Sequence, residues 1–250
     1  GTSTFVTSAN DAKITLDTTT NAFTGALTIT TNDNSGTGGD VTISAGSGAE
    51  LKFATSTIDG DLIAASSHTT GISDTGALTV AGTASFQTSG TDADIVLDVG
   101  HAITGTVTLN TTGSGGDATL DNGTLDIVLG DGTSVAGATL ATSVGGNLTL
   151  ISGAAAGITD ASGETVTVGR NLSATTDASN GVINLGSLVV DGTIALATDD
   201  TANDDSATAL VVNNCSICSG GVGLNFAAST VEGNLTATAT TGNMTDSGAL

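Results

Sequence analysis

The chain repeats itself over a distance far longer than any hairpin. "GDLIAAS" begins at Gly60, "GNLTLIS" at Gly146 and "GNLTATA" at Gly233, so the copies stand 86 and 87 residues apart. A second shared phrase comes after each of them: "GISDTGALTV" from Gly71, "GITDASGETVTV" from Gly157 and "NMTDSGAL" from Asn243. A third phrase, "GTSTFVTSANDAKITLD" at Gly1, returns as "GTASFQTSGTDADIVLD" at Gly82 and more loosely as "GRNLSATTDASNGVINL" at Gly169. Long tandem repetition is the mark of arrays in which each unit buries its apolar face on the next. It divides the 250 residues into three units, 1–81, 82–168 and 169–250, within one continuous segment.

Inside each unit the chain is written in short alternating runs. "GALTIT" at Gly25, "GDVTIS" at Gly39, "GTVTLN" at Gly105 and "GTIALA" at Gly192 each place apolar residues on one side and polar residues on the other. That two-residue period belongs to strands. It assigns Leu27, Ile29, Val107, Leu109, Leu148, Leu150, Ile194 and Leu196 to the inside. Phe86, Val107, Ile127 and Leu148 recur at steps of 21, 20 and 21. Such a step is too short for a strand–helix–strand crossover, which takes about 30 residues or more. It fits one coil of a right-handed parallel β-solenoid, an all-β fold. The expectation is about 12 coils of ~21 residues, four to each unit, forming a rod on the order of 55 Å long.

Composition agrees with a narrow core. There is no Pro, Trp or Tyr and there are five Phe, while 38% of the residues are hydrophobic, so the column is to be filled by Val, Leu, Ile and Ala. That hydrophobic share, spread in alternating runs, argues against a disordered chain despite a net charge of −22. Gly with Asp or Asn suits the corners, and Asp61, Asn147 and Asn234 hold equivalent corner positions. Only Lys13, Lys52 and Arg170 are basic, too few to track a phosphate backbone or an anionic membrane surface. No apolar run approaches the ~20 residues that span a bilayer.

The phrases "GNLTLIS", "GITDASGETVTV" and "GISDTGALTVAGT" resemble the repetitive shafts of filamentous-haemagglutinin-like proteins, large bacterial exoproteins and adhesins. The resemblance covers the whole chain and rests on repeat style. It implies an extracellular or cell-surface location, no catalysis, and a mechanical role. The last phrase stops at "TDSGAL". In the first unit the matching phrase leads directly into "GTASFQTS" at Gly82, and "GTSTFVTS" at Gly1 is a near copy of that continuation. The expectation is a window cut from a longer array, with copies continuing head to tail along the axis and self as the partner.

Other chemistry is sparse. Cys215 and Cys218 form the one Cys pair, in "CSIC", and are expected either as a local disulfide or as two reduced thiols; zinc would need two more ligands. Acidic stretches such as "GTGGD" at Gly36–Asp40, "GSGGD" at Gly113–Asp117 and "DDTANDD" at Asp199–Asp205 could hold Ca²⁺ only loosely, since the nine-residue calcium repeat is missing. No cofactor is expected. His68 and His101 lie in different units, and no paired-carboxylate or nucleophile motif stands out. Outward Thr pairs at Thr28–Thr30, Thr106–Thr108, Thr165–Thr167 and Thr236–Thr240 suggest an ice-binding ladder as the alternative, broken by "LIAAS" after Gly60. The "NLT" and "NLS" sequons at Asn147, Asn171 and Asn234 coincide with corners, so turn chemistry accounts for them.

Overall fold

A computed structural model describes residues 1–32, 38–201, 206–215, 218 and 221–250. Among these residues there is no α-helix, and the strands stack into two large parallel sheets, one of 14 strands and one of 12. They are called sheet I and sheet II. The chain passes from one to the other and back, so that each circuit is one turn of a β-solenoid of about 10 turns.

The alternating runs become strands whose apolar residues point into the space between the sheets. Leu27, Ile29, Val107, Leu109, Leu148, Leu150 and Ile194 are fully buried, and Leu196 is 1% exposed. They stack turn upon turn. In sheet I the register runs Ala118↔Leu148, Leu148↔Leu172 and Leu172↔Ile194, so one column reads Ala–Leu–Leu–Ile. Each Leu or Ile removed from water in such a column contributes about 1.5–3 kcal/mol. Phe53 and Phe86 are the largest fully buried side chains among the described residues, and Phe5 and Phe23 meet edge to face at 6.2 Å in the first turns.

The expected 12 coils need correction. Stacked partners lie 21 residues apart at Val41↔Leu62 and Leu51↔Ile72, 23 at Ile95↔Ala118, 26 at Leu27↔Phe53 and 30 at Ala118↔Leu148, so the ~21-residue step holds in some turns and is exceeded in others. About ten turns at the ~4.8 Å strand spacing make a rod roughly 48 Å long. The 21-residue series failed because it mixed faces. Phe86, Val107 and Ile127 belong to sheet II, whereas Leu148 belongs to sheet I. An antiparallel hairpin, Gly132–Thr133 with Thr139–Leu140, is inserted between Ile127 and Leu148 and lengthens that turn.

The expected four coils per unit fails for a related reason. The strand Leu62–Ser66 lies in sheet II, its repeat Leu148–Ser152 lies in sheet I, and the third copy Asn234–Ala239 is again in sheet II. From Leu62–Ser66 the chain crosses to residues 71–80, 84–91, 94–103, 107–112, 118–121, 127–144 and then to Leu148–Ser152. That is seven half-turns. The same count separates Leu148–Ser152 from Asn234–Ala239, Ser3–Val6 from Ala84–Thr91, and Gly71–Asp74 from Ile158–Asp160. One sequence repeat is therefore three and a half turns, and consecutive copies occupy opposite faces.

Backbone geometry obeys the repeat. Among the described residues, the non-glycine positions with positive φ are Asp11 (58°), Asp92 (56°) and Asn180 (63°), which stand at equivalent places in the three units. Asp and Asn tolerate this left-handed conformation better than other side chains.

Candidate functional site

Two polar ladders run along the outside corners. Where the chain turns into sheet II, Asp61 N–H donates to Asp40 Oδ1 at 3.1 Å, and Thr83 N–H donates to Asp61 Oδ1 at 2.7 Å. Where it turns into sheet I, Asp117 N–H donates to Asp94 Oδ1 at 2.9 Å and Asn147 N–H to Asp117 Oδ1 at 2.7 Å. Asn171 N–H then donates to Asn147 Oδ1 at 3.3 Å, and Thr193 N–H to Asn171 Oδ1 at 2.9 Å. Each acceptor belongs to one turn and each donor to the next. The glycine before the corner is there because of close approach. A Cβ on Gly82 would collide with Asp61 Oδ1, and one on Gly146 with Asp117 Oδ1. The phrase "G[DNT]-L" is thus a corner device, and Asn147 and Asn171 spend their amides on it.

A second set of polar residues sits at bends in the strands, with Ser56, Thr142, Asn122 and Asn213 buried and Ser229 half-buried. Ile29 N–H donates to Ser56 Oγ at 2.9 Å, Leu109 N–H to Thr142 Oγ1 at 3.4 Å and Leu196 N–H to Ser229 Oγ at 3.1 Å. These three hydroxyl residues are 86 and 87 residues apart, so they are copies of one position. Asn122 and Asn213 do the same for Ile103 N–H and Val190 N–H, at 2.9 and 3.0 Å. A bend takes one backbone N–H out of the ladder, and a buried N–H without an acceptor is costly. Reading the sequence for strands and corners misses these residues. Aligning "STIDGDL", "TSVGGNL" and "STVEGNL" would have shown a hydroxyl kept at an inward place.

His101 is a variant of the same cap. Its Nδ1 accepts the Leu78 N–H at 2.9 Å, which leaves the ring proton on Nε2. Nε2 lies 2.6 Å from Asp74 Oδ2, with both side chains essentially sealed from solvent (0% and 1%). The approach is not along the ring N–H, and both Asp74 oxygens and Ser73 Oγ lack hydrogen-bond partners. Burial pushes His101 below the ordinary imidazole range, against the pull of Asp74, Asp121 and Asp98. Burial likewise holds the Asp74 carboxyl above its ordinary range, opposed by His101. His68 is elsewhere, with Nδ1 accepting Thr70 N–H at 3.1 Å, beside an open cleft of about 400 Å³ that also holds Glu50 and Lys52.

Cys215 and Cys218 are joined as a disulfide. Asp191 lies beside them, but disulfide sulfurs are not thiolate ligands, so the trio does not make a metal centre in this state. Residues 202–205 of the acidic "DDTANDD" stretch, and 36–37 of "GTGGD", lie outside the described residues. Asp117 of "GSGGD" is engaged in the corner ladder. Thr108 is buried and donates to Gly130 O at 2.8 Å, at the base of the inserted hairpin. In sheet I, Thr119, Thr149, Ser173 and Ala195 stack one upon another, so the outward Thr row is interrupted.

The first and last strands described are less buried than those between them. Asn234–Ala239 is alternately exposed and half-buried, Asn243–Asp246 is exposed throughout, and Met244 is 49% exposed. At the other end Ser3–Val6 is alternately half-buried and exposed, and Val6 is 62% exposed.

Known proteins add one likeness to this geometry. A family model described as "Repeats of unknown function (DUF5649)" matches residues 38–110 and 212–250. The chain is a repeat protein. Each matched stretch carries one "GDL" or "GNL" strand and the "SDTGAL" or "TDSGAL" phrase after it. No curated protein and no solved structure matches the chain.

Proposed function

We propose that this chain is part of a shaft: a stiff, acidic, non-catalytic rod of an extracellular filament or large adhesin, in the manner of the filamentous-haemagglutinin-like proteins of bacteria. The observation that carries the reading is the repeat itself. Its register and its polar ladders pass from turn to turn, so that each turn rests on the one before it. The partner in this reading is self, head to tail, in an open-ended contact rather than a closed ring.

The side chains support this over the alternatives. The buried His101–Asp74 pair is consumed by a bend, and the interrupted Thr rows do not present a flat lattice. Spread negative charge keeps neighbouring rods apart in solution. Negative-stain microscopy of the native material tests the reading. Fibres or long shafts of solenoid width are expected, and discrete particles with globular caps at both ends would refute it.

A further inference from the structure

We propose that the cleft between the inserted hairpin and the outer face of sheet II is a binding site for an uncharged saccharide. The proposal does not depend on the shaft reading. It concerns the place where the repeat is broken.

The hairpin is foreign to the repeat. Phe53 and Ser56, like Phe226 and Ser229, stand 3 residues apart, whereas their counterparts in the second unit, Leu129 and Thr142, stand 13 apart. In repeat proteins such insertions fall on one face, and that face is often the one that binds. The core gains little from it, since among residues 131–140 only Leu140 is a buried hydrophobic side chain. The hairpin lies so close to sheet II that a Cβ on Gly132 would meet Thr108 Oγ1 and Ser85 Oγ. Ser85 Oγ is buried there with no hydrogen-bond partner. An unpaired buried hydroxyl is a cost, so the stability of the rod does not account for the insertion.

The hairpin is nonetheless held in one shape. Ser134 N–H donates to Ala138 O at 2.9 Å, Gly137 N–H to Ser134 O at 2.8 Å and Ala138 N–H to Ser134 Oγ at 3.1 Å. At its root Asn110 Nδ2 donates to Ala141 O at 3.1 Å. A wall fixed in this way needs no ordering when a ligand arrives. The open cleft beside it measures about 470 Å³, inside the ~300–1,000 Å³ of small-molecule sites. Its floor is one outward row of sheet II, in which Ser44, Ala65 and Gln87 stack turn upon turn. The hairpin adds Ser134 and Val135, and the exposed Asp17 completes the polar lining. Ser44 is 5% exposed, and among the described residues neither its hydroxyl nor the Gln87 amide has a hydrogen-bond partner.

These groups fit an uncharged polyol. A hydroxyl and a carboxamide each donate and accept, as sugar hydroxyls require. Ala65 and Val135 offer small apolar contacts to the C–H face of a ring. No Lys or Arg lines the cleft among the described residues, and a net charge of −22 repels an anion. The single carboxylate of Asp17 is too little for a hard cation, which takes several oxygen ligands. A peptide would find no free strand edge, because Leu62–Ser66, which carries Ala65, is paired on both sides.

Saturation-transfer NMR of the full chain with neutral oligosaccharides of glucose, galactose and mannose tests this. Each is offered at about 10 mM, where a Kd of about 1 mM would be close to saturation. At least one is expected to bind. Gln87→Ala should weaken it by about tenfold. Excision of residues 131–140, which restores the spacing of the other two units, should abolish it, and Thr149→Ala on sheet I should leave it unchanged. Circular dichroism checks every variant. Gln87 points outward without a partner, so its variant keeps the fold even where the excised chain does not. Absence of binding to every neutral oligosaccharide overturns the proposal. Equal binding by the parent and Gln87→Ala overturns it too, as does a preference for a sulfated or uronic-acid oligosaccharide. The shaft reading is untouched by any of these results, because microscopy tests it separately.

Discussion

Leu148→Ala is expected to loosen three neighbouring turns and leave the rest of the rod alone. Leu148 is fully buried, between Ala118 in the turn before and Leu172 in the turn after. Truncating a buried Leu to Ala costs about 2–5 kcal/mol, and the cost is higher where the surroundings cannot close the gap. Ala118 has no side chain long enough to do so, and the strands on both sides are fixed by their ladders. A cost of about 3–4 kcal/mol is expected within that range. In a solenoid this energy is charged to the local turns, because stability is close to a sum of nearest-neighbour terms. At about 1.4 kcal/mol per tenfold, amide exchange should accelerate by roughly two to three powers of ten in Ala118–Asp121, Leu148–Ser152 and Leu172–Ser179. Exchange in Leu27–Thr30 should change by less than about twofold. Hydrogen exchange read by mass spectrometry across the chain is the assay. Equal acceleration everywhere would show that the rod unfolds as one unit and would refute the nearest-neighbour reasoning.

Three further outcomes are expected. Burial lowers the His101 pKa from 6.5, so the folded state takes up a proton less readily than the unfolded chain; its stability is present above pH 6.5 and is lost as the pH falls below it. Asp74, raised from 3.8, acts in the opposite sense as the pH falls further, and Asp98 and Asp121 also face the pair. His101→Asn keeps an acceptor for Leu78 N–H, as Asn122 does for Ile103, so urea midpoints at about pH 7.5 and about pH 5.5 should converge in the variant; an unchanged difference would count against this role. Gly146→Ala should destabilise by about 1–3 kcal/mol in urea unfolding by driving a methyl group against Asp117, and a neutral result would remove the close-approach argument. Replacing Cys215 and Cys218 with Ser opens a very short loop, costs at most about 2 kcal/mol and leaves the far-ultraviolet circular dichroism unchanged; loss of the fold would make the disulfide a requirement.

The strands were legible because alternation in runs such as "ALTIT" fixes both the element and its inward side. The turn length was harder to read. The two sheets are built from the same phrases, so a step of 21 residues could join Ile127 in one sheet to Leu148 in the other without any change of vocabulary. The inserted hairpin deepened the error by adding residues that belong to no turn. The corner role of Asp61 and Asn147 was visible as turn chemistry, but the direction of their bonds, from one turn to the next, needs three dimensions. His101 was opaque for a different reason. A single histidine carries no period, and its task is set by a missing backbone acceptor one turn away at Leu78.

The odd count of half-turns has a mechanical consequence. Sheet I and sheet II are unequal wherever one of them is bent or carries the hairpin, and unequal faces make a stack of turns curve toward one side. Had each repeat closed after a whole number of turns, that curvature would add from repeat to repeat and wind the rod into an arc. With seven half-turns a feature that recurs in every repeat, such as the bend capped by Ser56, Thr142 and Ser229, falls on alternate faces, so the deflections it causes would oppose one another from repeat to repeat. A long array of such units would bear load along its length without any residue dedicated to keeping it so.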